Sequence, residues 1–398
     1  MEPRSTLSRG IIIIGVVSFL SDISSEMIYP ILPFFLSQTL EAPKVAIGLI
    51  EGVATGTARV FTILSGWISD RVGQRKFVAF TGYALTALSR PFISFASSWP
   101  VVLGARFADR MGKGIRSAPK DALLADSSTK EERGRAYGFE RAMDFSGSVL
   151  GPLLGLWLFA GLAVEARSIF IISAVPAVIA AILILTIRES RDNTSSNVKR
   201  VKLSLEGTTR QYRLLLLVSA VFSLANSANA FLILRAESLG FTTGQAIIAY
   251  ALFNFVAAIV AMPAGVVSDR LGRRNLLVIG YGIYALTYAG FGAATHAWMI
   301  WPLFAAYGLF PALTEGAAKA MVVDTAGEAG RGTALGIYSG VIGLTQIAAS
   351  LIGGLLWDYV NAEATFYFGA AVASIAVVML LLLFPSGKIS YTSPGHLR

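Results

Sequence analysis

The chain has 398 residues, of which 55% are hydrophobic and 14% are charged, and its formal net charge is +9. This composition excludes an ordinary soluble domain and indicates a membrane protein. There are no cysteines and only two histidines, which excludes disulfides, thiolate metal sites and cysteine nucleophiles. A proton crossing this protein would therefore be carried by carboxylates.

Apolar segments near the length of about 20 residues needed to span a bilayer follow one another along almost the whole chain. They predict an all-α integral membrane fold with twelve transmembrane helices, over 10–36, 45–68, 76–95, 99–122, 135–162, 167–187, 212–235, 243–267, 275–295, 299–322, 332–357 and 363–385. The first segment is expected to be a retained helix, because acidic residues interrupt it and no small-residue cleavage site follows. Pro30 and Pro33 should bend it past its middle.

Lysines and arginines concentrate in the loops on one side of this topology. By the positive-inside rule that side is cytoplasmic and holds both termini, so the expected location is the plasma (bacterial inner) membrane. The basic excess thus reports orientation, and no nucleic-acid partner is expected.

A polar, basic stretch between Arg188 and Arg213 interrupts the hydrophobic rhythm at the middle of the chain. It predicts an N-terminal six-helix bundle over 1–190, a cytoplasmic linker over 191–211 and a C-terminal six-helix bundle with a short tail over 212–398. The remaining loops are short and leave no room for a separate catalytic domain. An enzyme is therefore not expected.

Two phrases of the chain recur half a chain apart. The phrase from Gly66 to Arg75 returns at Gly265 to Arg274 with an offset of 199 residues, and that from Arg133 to Gly138 returns at 331–336 with an offset of 198. Two loops that share nearly one offset indicate a duplicated unit. Transporters are commonly built in this way.

The first recurring phrase resembles the GxxxDRxGRR signature loop of the major facilitator superfamily. The second copy matches in full, whereas the first has Gln74 in place of an arginine. The resemblance implies two pseudo-symmetric six-helix bundles around a cavity that opens alternately to each side. It also implies a cytoplasmic gate formed by Gly66, Asp70, Arg71, Gly73, Arg75, Gly265, Asp269, Arg270, Gly272 and Arg274.

Helix five carries Gly147, Gly151, Pro152 and Gly155, similar to the GxxxGPxxGG motif of proton-coupled antiporters of the drug-efflux type, with Leu156 in place of the last glycine. The resemblance implies the twelve-helix drug:proton antiporter branch. The spacing puts the glycines on one face, where another helix can approach closely. A simple packing seam is the alternative interpretation.

Helix four carries an unusual stripe of charge on one helical face: Arg106, Asp109, Arg110, Lys113, Arg116 and Lys120. A charge facing lipid would cost several kcal/mol, so the stripe must face protein or water. At matching depth, helix one has Asp22 and Glu26 one turn apart, a pair suited to binding a proton or cation. The alternative for this pair is a fixed salt bridge to Arg106 or Arg110.

These patterns assign three groups of residues. Proton coupling is assigned to Asp22, Glu26 and Asp109. Substrate binding or charge balance is assigned to Arg106, Arg110, Lys113, Asn226, Asn229 and Glu315. Arg116, Glu140 and Asp144 are added to the cytoplasmic gate.

Together they predict a proton-coupled secondary transporter that exports a small solute or drug by antiport, acting as a monomer in the lipid bilayer without a cofactor or bound metal. Two alternatives keep the fold: an importer of an anionic metabolite with Arg106, Arg110 and Lys113 as the clamp, or a divalent-metal exporter using Asp22, Glu26 and Asp109. A non-transporting receptor or scaffold would need no buried charges, which argues against it.

Overall fold

The computed structural model describes residues 7–72, 74–129, 132–187, 205–327 and 331–384. In this part of the chain it contains twelve long helical segments, which we label in order: α1 Arg9–Thr39, α2 Lys44–Val72, α3 Arg75–Ser94, α4 Trp99–Asp126, α5 Arg133–Gly161, α6 Ala166–Ile184, α7 Arg210–Ser238, α8 Thr243–Leu271, α9 Arg273–Ala293, α10 Ile300–Thr325, α11 Arg331–Tyr359 and α12 Ala362–Leu383. Ten are long and apolar enough to cross a membrane. The other two, α3 and α4, carry the buried charges Arg90, Arg106 and Asp109.

The helices match the predicted spans to within a few residues, with the largest extensions at the ends of α2, α4 and α8. These three helices continue about one turn past the predicted span, because polar residues can complete a helix once it leaves the hydrocarbon region. At the end of α8, Gly272 takes a φ of 81°, and α9 begins at the next residue. This left-handed conformation favours glycine and explains the tight turn expected there. Residues 191–204, the greater part of the predicted linker 191–211, lie outside the described residues.

The first helix of each half is interrupted near its middle. In α1 the helix Arg9–Ile28 is followed by Leu32–Phe34 and a π-helical turn, Phe35–Thr39. In α7 the helices Arg210–Ala225 and Ala230–Ser238 flank four non-helical residues. Residues 29–31 and 226–229 correspond under the offset of 198, so the two interruptions lie at equivalent positions of the duplicated halves. The prolines explain the break in α1, whereas α7 breaks without one.

Helices α1–α6 pack into one bundle and α7–α12 into a second, and the bundles meet where α2 contacts α11 and α5 contacts α8. The face at which α1 begins and α12 ends is here called the terminal face, and the opposite one the far face. Contacts between α2 and α11 run from Val45–Gly354 to Arg59–Gly343, in the far halves of both helices. Nearer the terminal face, a Cβ on Gly66 would meet only α4, and one on Gly332 or Gly340 nothing within 4 Å. The bundles therefore lie together at the far face and diverge toward the terminal face.

Candidate functional site

A cavity of about 390 Å³ lies between the bundles, at the depth of both helix interruptions. Tyr29, Thr55 and Arg59 line it from the first bundle, and the second bundle supplies most of the wall. Its residues there include the predicted Asn226, Asn229 and Glu315 together with Ser219, Phe222, Ser223, Ser227, Phe253, Tyr281, Tyr307, Phe310, Thr314, Lys319, Tyr338 and Gln346. The volume falls within the range of pockets that enclose small ligands.

The interruption of α7 presents polar groups to this cavity. The Tyr307 hydroxyl donates to Asn229 Oδ1 at 2.9 Å, and the Tyr284 hydroxyl donates to the carbonyl of Ala225 at 2.8 Å, at the end of the first α7 segment. Phe222 stacks on Tyr281 with ring centroids 3.6 Å apart. Aromatic faces and amide groups are thus held side by side. Interrupted helices at equivalent positions of two repeats are typical of transporter binding sites.

The glycine face of α5 packs on the part of α1 that carries the two carboxylates. A Cβ on Gly147 would lie 2.9 Å from Cβ of Asp22, and one on Gly151 would lie 2.9 Å from Cβ of Glu26. Side chains larger than hydrogen would push the helices apart. The close helix approach expected from the glycine spacing is present, and its partner is the carboxylate helix itself.

Both α1 carboxylates accept hydrogen bonds from neutral hydroxyl groups. The Ser148 hydroxyl on α5 donates to Asp22 Oδ2 at 3.1 Å, and the Tyr250 hydroxyl on α8 donates to Glu26 Oε2 at 3.0 Å. Within the described part of the chain, neither carboxylate has a lysine or arginine nitrogen within 4.0 Å. The alternative of a fixed salt bridge to Arg106 or Arg110 is therefore not what the structure contains.

Arg106 is engaged in a buried arginine cluster, defined here as Glu51, Arg90, Arg106, Asp109 and Arg110. Arg106 contacts Glu51 Oε1 at 2.7 Å and Asp109 Oδ2 at 3.1 Å. Arg90 lies 3.2 Å from Asp109 Oδ1, and Arg110 lies 3.7 Å from Asp109 Oδ2. The charged face of α4 thus meets protein and not lipid, as its periodicity predicts. The expectation that Arg106 balances an α1 carboxylate is wrong, because Glu51 and Asp109 occupy it.

Glu51, Arg90 and Arg59 are absent from the assignments made from the sequence. Glu51 and Arg90 are buried at 4% and 0% exposure, and Arg59 donates to Gln346 Oε1 across the bundle interface at 3.2 Å. Glu51 and Arg59 lie two turns apart in the apolar part of α2, and Arg90 lies in that of α3. Ionisable residues in apolar spans mark functional positions in membrane helices. That signal was present in the sequence, and the denser stripe on α4 concealed it.

The residues added to the gate fall into two places. Lys120 pairs with Glu140, and the Ser18 hydroxyl donates to the same carboxylate oxygen, which braces α1, α4 and α5. Arg116 donates to Thr86 Oγ1 at 2.9 Å and lies over the Tyr83 ring. Arg116 and Glu140 therefore make contacts inside the first bundle and not between the bundles.

Asp144 lies near a cross-bundle contact on the terminal side of the cavity. Arg141 approaches both Asp144, at 3.7 Å, and Glu315 on α10, at 3.5 Å. Glu315 therefore joins the cavity wall to the first bundle.

The duplicated loops carry matching ion pairs. Arg75 Nη1 lies 2.6 Å from Asp126 Oδ2, and Arg273 pairs with Asp324. The offset of 198 relates Arg75 to Arg273 and also Asp126 to Asp324. The loop alignment with an offset of 199 points instead to Arg274. The structure selects Arg273 because α3 begins at Arg75 and α9 begins at Arg273. Gly73 and the side chains of Asp70, Asp269 and Arg270 lie outside the described part of the structure, whereas Gly265 lies within α8.

The three carboxylates proposed for a metal exporter are not gathered into one site. Asp109 sits among arginines, whereas Asp22 and Glu26 have hydroxyl partners. Over the described ranges of the chain, no group of three or more His, Asp or Glu side chains is arranged to hold a metal ion.

The fold agrees with the comparisons with known proteins. The sequence model of the Major Facilitator Superfamily matches residues 14–233 and 214–395, so the chain belongs to this family of membrane transporters. An uncharacterized MFS-type transporter of Methanocaldococcus jannaschii is 34% identical over 388 residues, covering 96% of each chain. The class E tetracycline resistance protein of Escherichia coli is 22% identical over 96% of this chain and 97% of its own. A mutant of the nucleoside transporter NupG superposes with a TM-score of 0.80 at 13% identity, covering 94% of this chain and 100% of that one.

Proposed function

We propose that this transporter is a proton-coupled antiporter that exports a small solute by alternating access. The observation that carries the proposal is the bonding of Asp22 and Glu26: both accept hydrogen bonds from neutral hydroxyls, and the donor to Glu26, Tyr250, packs against the cavity residue Tyr29. A carboxylate without a fixed counter-ion can exchange a proton. Glu51 and Asp109 of the arginine cluster are instead paired with arginine side chains and are less suited to this role.

Charge balance supports the same assignment. The groups that act electrostatically on Glu26 are Asp22 on its own helix and Lys113 and Arg110 on α4. Loading a proton removes one negative charge from this set, and releasing it restores the charge. Because the set lies in a poorly hydrated interior, each step changes the electrostatic balance of α1 against α4.

The bundles diverge toward the terminal face, which the lysine and arginine distribution assigns to the cytoplasm, so a solute can enter the cavity from that side. An importer would pass through the same arrangement, and the direction of transport therefore rests on the relatives of the chain. The relative from Escherichia coli is named for resistance to tetracycline, and a membrane transporter confers resistance by lowering the internal concentration of a drug.

The cavity wall indicates the kind of solute. Stacked and tilted aromatic rings from Phe222 to Tyr307 suit a planar ring system, and Asn226 and Asn229 suit hydrogen-bonding substituents. The clamp of Arg106, Arg110 and Lys113 expected for an anion importer does not line the cavity. Import of an anionic metabolite is therefore not proposed.

Proteoliposomes with a trapped pH indicator test the proposal. Solutes that raise the melting temperature of the purified protein are screened first, beginning with tetracycline. A solute gradient should then drive proton movement in the opposite direction, and an Asp22→Asn, Glu26→Gln double variant should lose it. Glu165→Gln, on the exposed α5–α6 loop, is the control and should retain it. Undiminished coupled exchange in the double variant would refute the carboxylate assignment.

A further inference from the structure

Helix α8 reaches the first bundle beside the α1 carboxylates through two side chains that lie one turn apart. Tyr250 donates to Glu26 Oε2 at 3.0 Å, and Asn254 Nδ2 donates to the carbonyl of Ser148 at 3.2 Å. Ser148 is also the hydroxyl donor to Asp22. Glu26 is thus bonded directly to the second bundle, and Asp22 is connected to it through Ser148.

Tyr250 also touches the cavity wall. Its ring lies 5.2 Å from that of Tyr29 and 5.5 Å from that of Phe253, and both of these residues line the cavity. Phe253 in turn lies 5.2 Å from Tyr307, whose hydroxyl bonds Asn229. A continuous set of packed rings therefore joins the Glu26 carboxylate to the interruption of α7.

We propose that Tyr250 is a positioning residue that converts the protonation of Glu26 into separation of the two bundles at the far face, with Asn254 as its second anchor. The inference rests on the proposed function, because it assigns Glu26 as a proton carrier. It identifies α8 as the element of the second bundle that responds to the proton. Neither the glycine motif nor the signature loops point to this element.

The physical step is the loss of charge assistance. A phenol that donates to an ionised carboxylate makes a hydrogen bond about twice as strong as one to a neutral group. When Glu26 takes up a proton, the bond that holds α8 to α1 weakens, and the arrangement with the bundles together loses stability relative to the arrangement with the far face open. By reciprocity, closing the far face favours the ionised carboxylate and releases the proton toward the terminal face.

The charged and titratable groups around Glu26 set the background for this step. They come from every element that packs on it: Asp22 and Tyr29 on α1, Arg110 and Lys113 on α4, Asp144 on α5, acting through Asp22, and Tyr250 on α8. Only Tyr250 belongs to the second bundle. Removing its hydroxyl therefore deletes the cross-bundle part of the response and leaves the charges of the first bundle unchanged.

The natural absence of cysteine allows a direct measurement of the far face. Gln38 and Glu237 lie on opposite bundles and are hydrogen-bonded across the far face. Spin labels on Gln38→Cys and Glu237→Cys, in nanodiscs, report the separation of the bundles by pulsed electron–electron double resonance. Lowering the pH from 8 to 5 should raise the population with a long distance, about fivefold to tenfold in its equilibrium constant, the difference between a charged and a neutral hydrogen bond.

Tyr250→Phe should populate the long distance already at high pH and lose most of the pH response. Tyr212→Phe is the matched control, because its buried hydroxyl donates to the carbonyl of Ala334 within the second bundle, and it should behave as the parent. In a Glu26→Gln background, Tyr250→Phe should shift the equilibrium less than it does in the parent, since the glutamine has already removed the charge assistance. A Tyr250→Phe protein with the pH response of the parent, or a parent without any response, overturns the inference.

The coupled-exchange assay keeps this failure distinct from failure of the proposed function. If the parent exchanges solute for protons while Tyr250→Phe keeps the full pH response, the antiport proposal stands and the role of Tyr250 falls. If the parent shows no coupled exchange, the antiport proposal itself falls.

Discussion

The buried arginine cluster holds three arginines against two carboxylates, and it lies inside the first bundle behind Tyr29. Arg106 is fully buried, and its guanidinium carbon lies 6.0 Å from the centre of the Tyr29 ring. Arg90 donates to Ser25 Oγ at 3.1 Å, but its Nε and Nη1 groups have no hydrogen-bond partner among the described residues. The cluster therefore has no spare carboxylate or hydrogen-bond acceptor, among the described residues, that could replace a lost negative charge.

Glu51→Gln should destabilise the protein strongly, because it leaves Arg106 with one carboxylate that Arg90 and Arg110 already share. Breaking a buried ion pair from one side costs about 3–5 kcal/mol, whereas replacing both partners by apolar residues is often close to neutral. The melting temperature in detergent should fall in Glu51→Gln and recover largely in a Glu51→Leu, Arg106→Met double variant. Glu41→Gln, an exposed carboxylate in the α1–α2 loop, serves as the control. Equal melting temperatures for Glu51→Gln and the parent would contradict the assigned pairing.

The seam of α5 on α1 is a tightly constrained contact between elements. Three glycines spaced four residues apart bring the α5 backbone against the turns of α1 that carry Asp22 and Glu26. In a membrane, small residues stabilise helix pairs because they allow the backbones to approach. Here the same closeness also fixes where the Ser148 hydroxyl meets Asp22, so packing and hydrogen bonding depend on one spacing.

Gly151→Ala should impair both packing and transport, since the new Cβ would lie 2.9 Å from Cβ of Glu26 and 3.1 Å from the carbonyl of Ile23. Overpacking of this kind costs about 1–3 kcal/mol. Gly138→Ala on the same helix meets nothing within 4 Å and should be neutral or slightly stabilising. Thermal unfolding and solute exchange measured on both variants separate the two cases. Equal stability and exchange in Gly151→Ala and Gly138→Ala would contradict the close approach of α5 to α1.

The fold was predictable from the sequence, whereas the pairing of charges was not. Span lengths, the duplication and the α4 periodicity are local properties, and they correctly place the helices and turn Arg106 and Asp109 inward. Which residue faces Arg106 depends on how α2 and α3 rotate against α4, and periodicity within one helix carries no information about that rotation. Glu51 and Arg90 were accordingly missed, and Asp22 and Glu26 received arginine partners that belong to Asp109.

At the scale of the whole molecule, the far face is closed by contacts between the ends of helices. The Asp358 carboxylate at the end of α11 accepts from the backbone amides of Lys44 and Val45, at 3.0 and 2.7 Å, and so caps the first turn of α2 in the other bundle. The helix dipole of α2 favours a negative charge at this position. Gly354 lies directly against Val45 next to this cap.

Asp358→Ala should shift the protein toward the arrangement with the far face open. It removes two hydrogen bonds to a charged acceptor, and a loss of about 1.5–3 kcal/mol corresponds to roughly tenfold to a hundredfold in the equilibrium. The separation between labels on Gln38 and Glu237 measures the change directly. Glu41→Ala, on the same face, should leave the distance distribution unaltered, and an unaltered distribution in Asp358→Ala would show that the cap does not hold the bundles together.

The equivalent interruptions of α1 and α7 divide each of these helices into a long limb and a short limb. The short limb Ala230–Ser238 is fixed to the rest of its bundle, because Arg235 donates to the carbonyls of Phe291, Gly292 and Ala294 and pairs with Glu363. We therefore expect this limb, the end of α9 and the start of α12 to move as one rigid unit. The long limb Arg210–Ala225 can change its angle to that unit at the non-helical residues between the limbs.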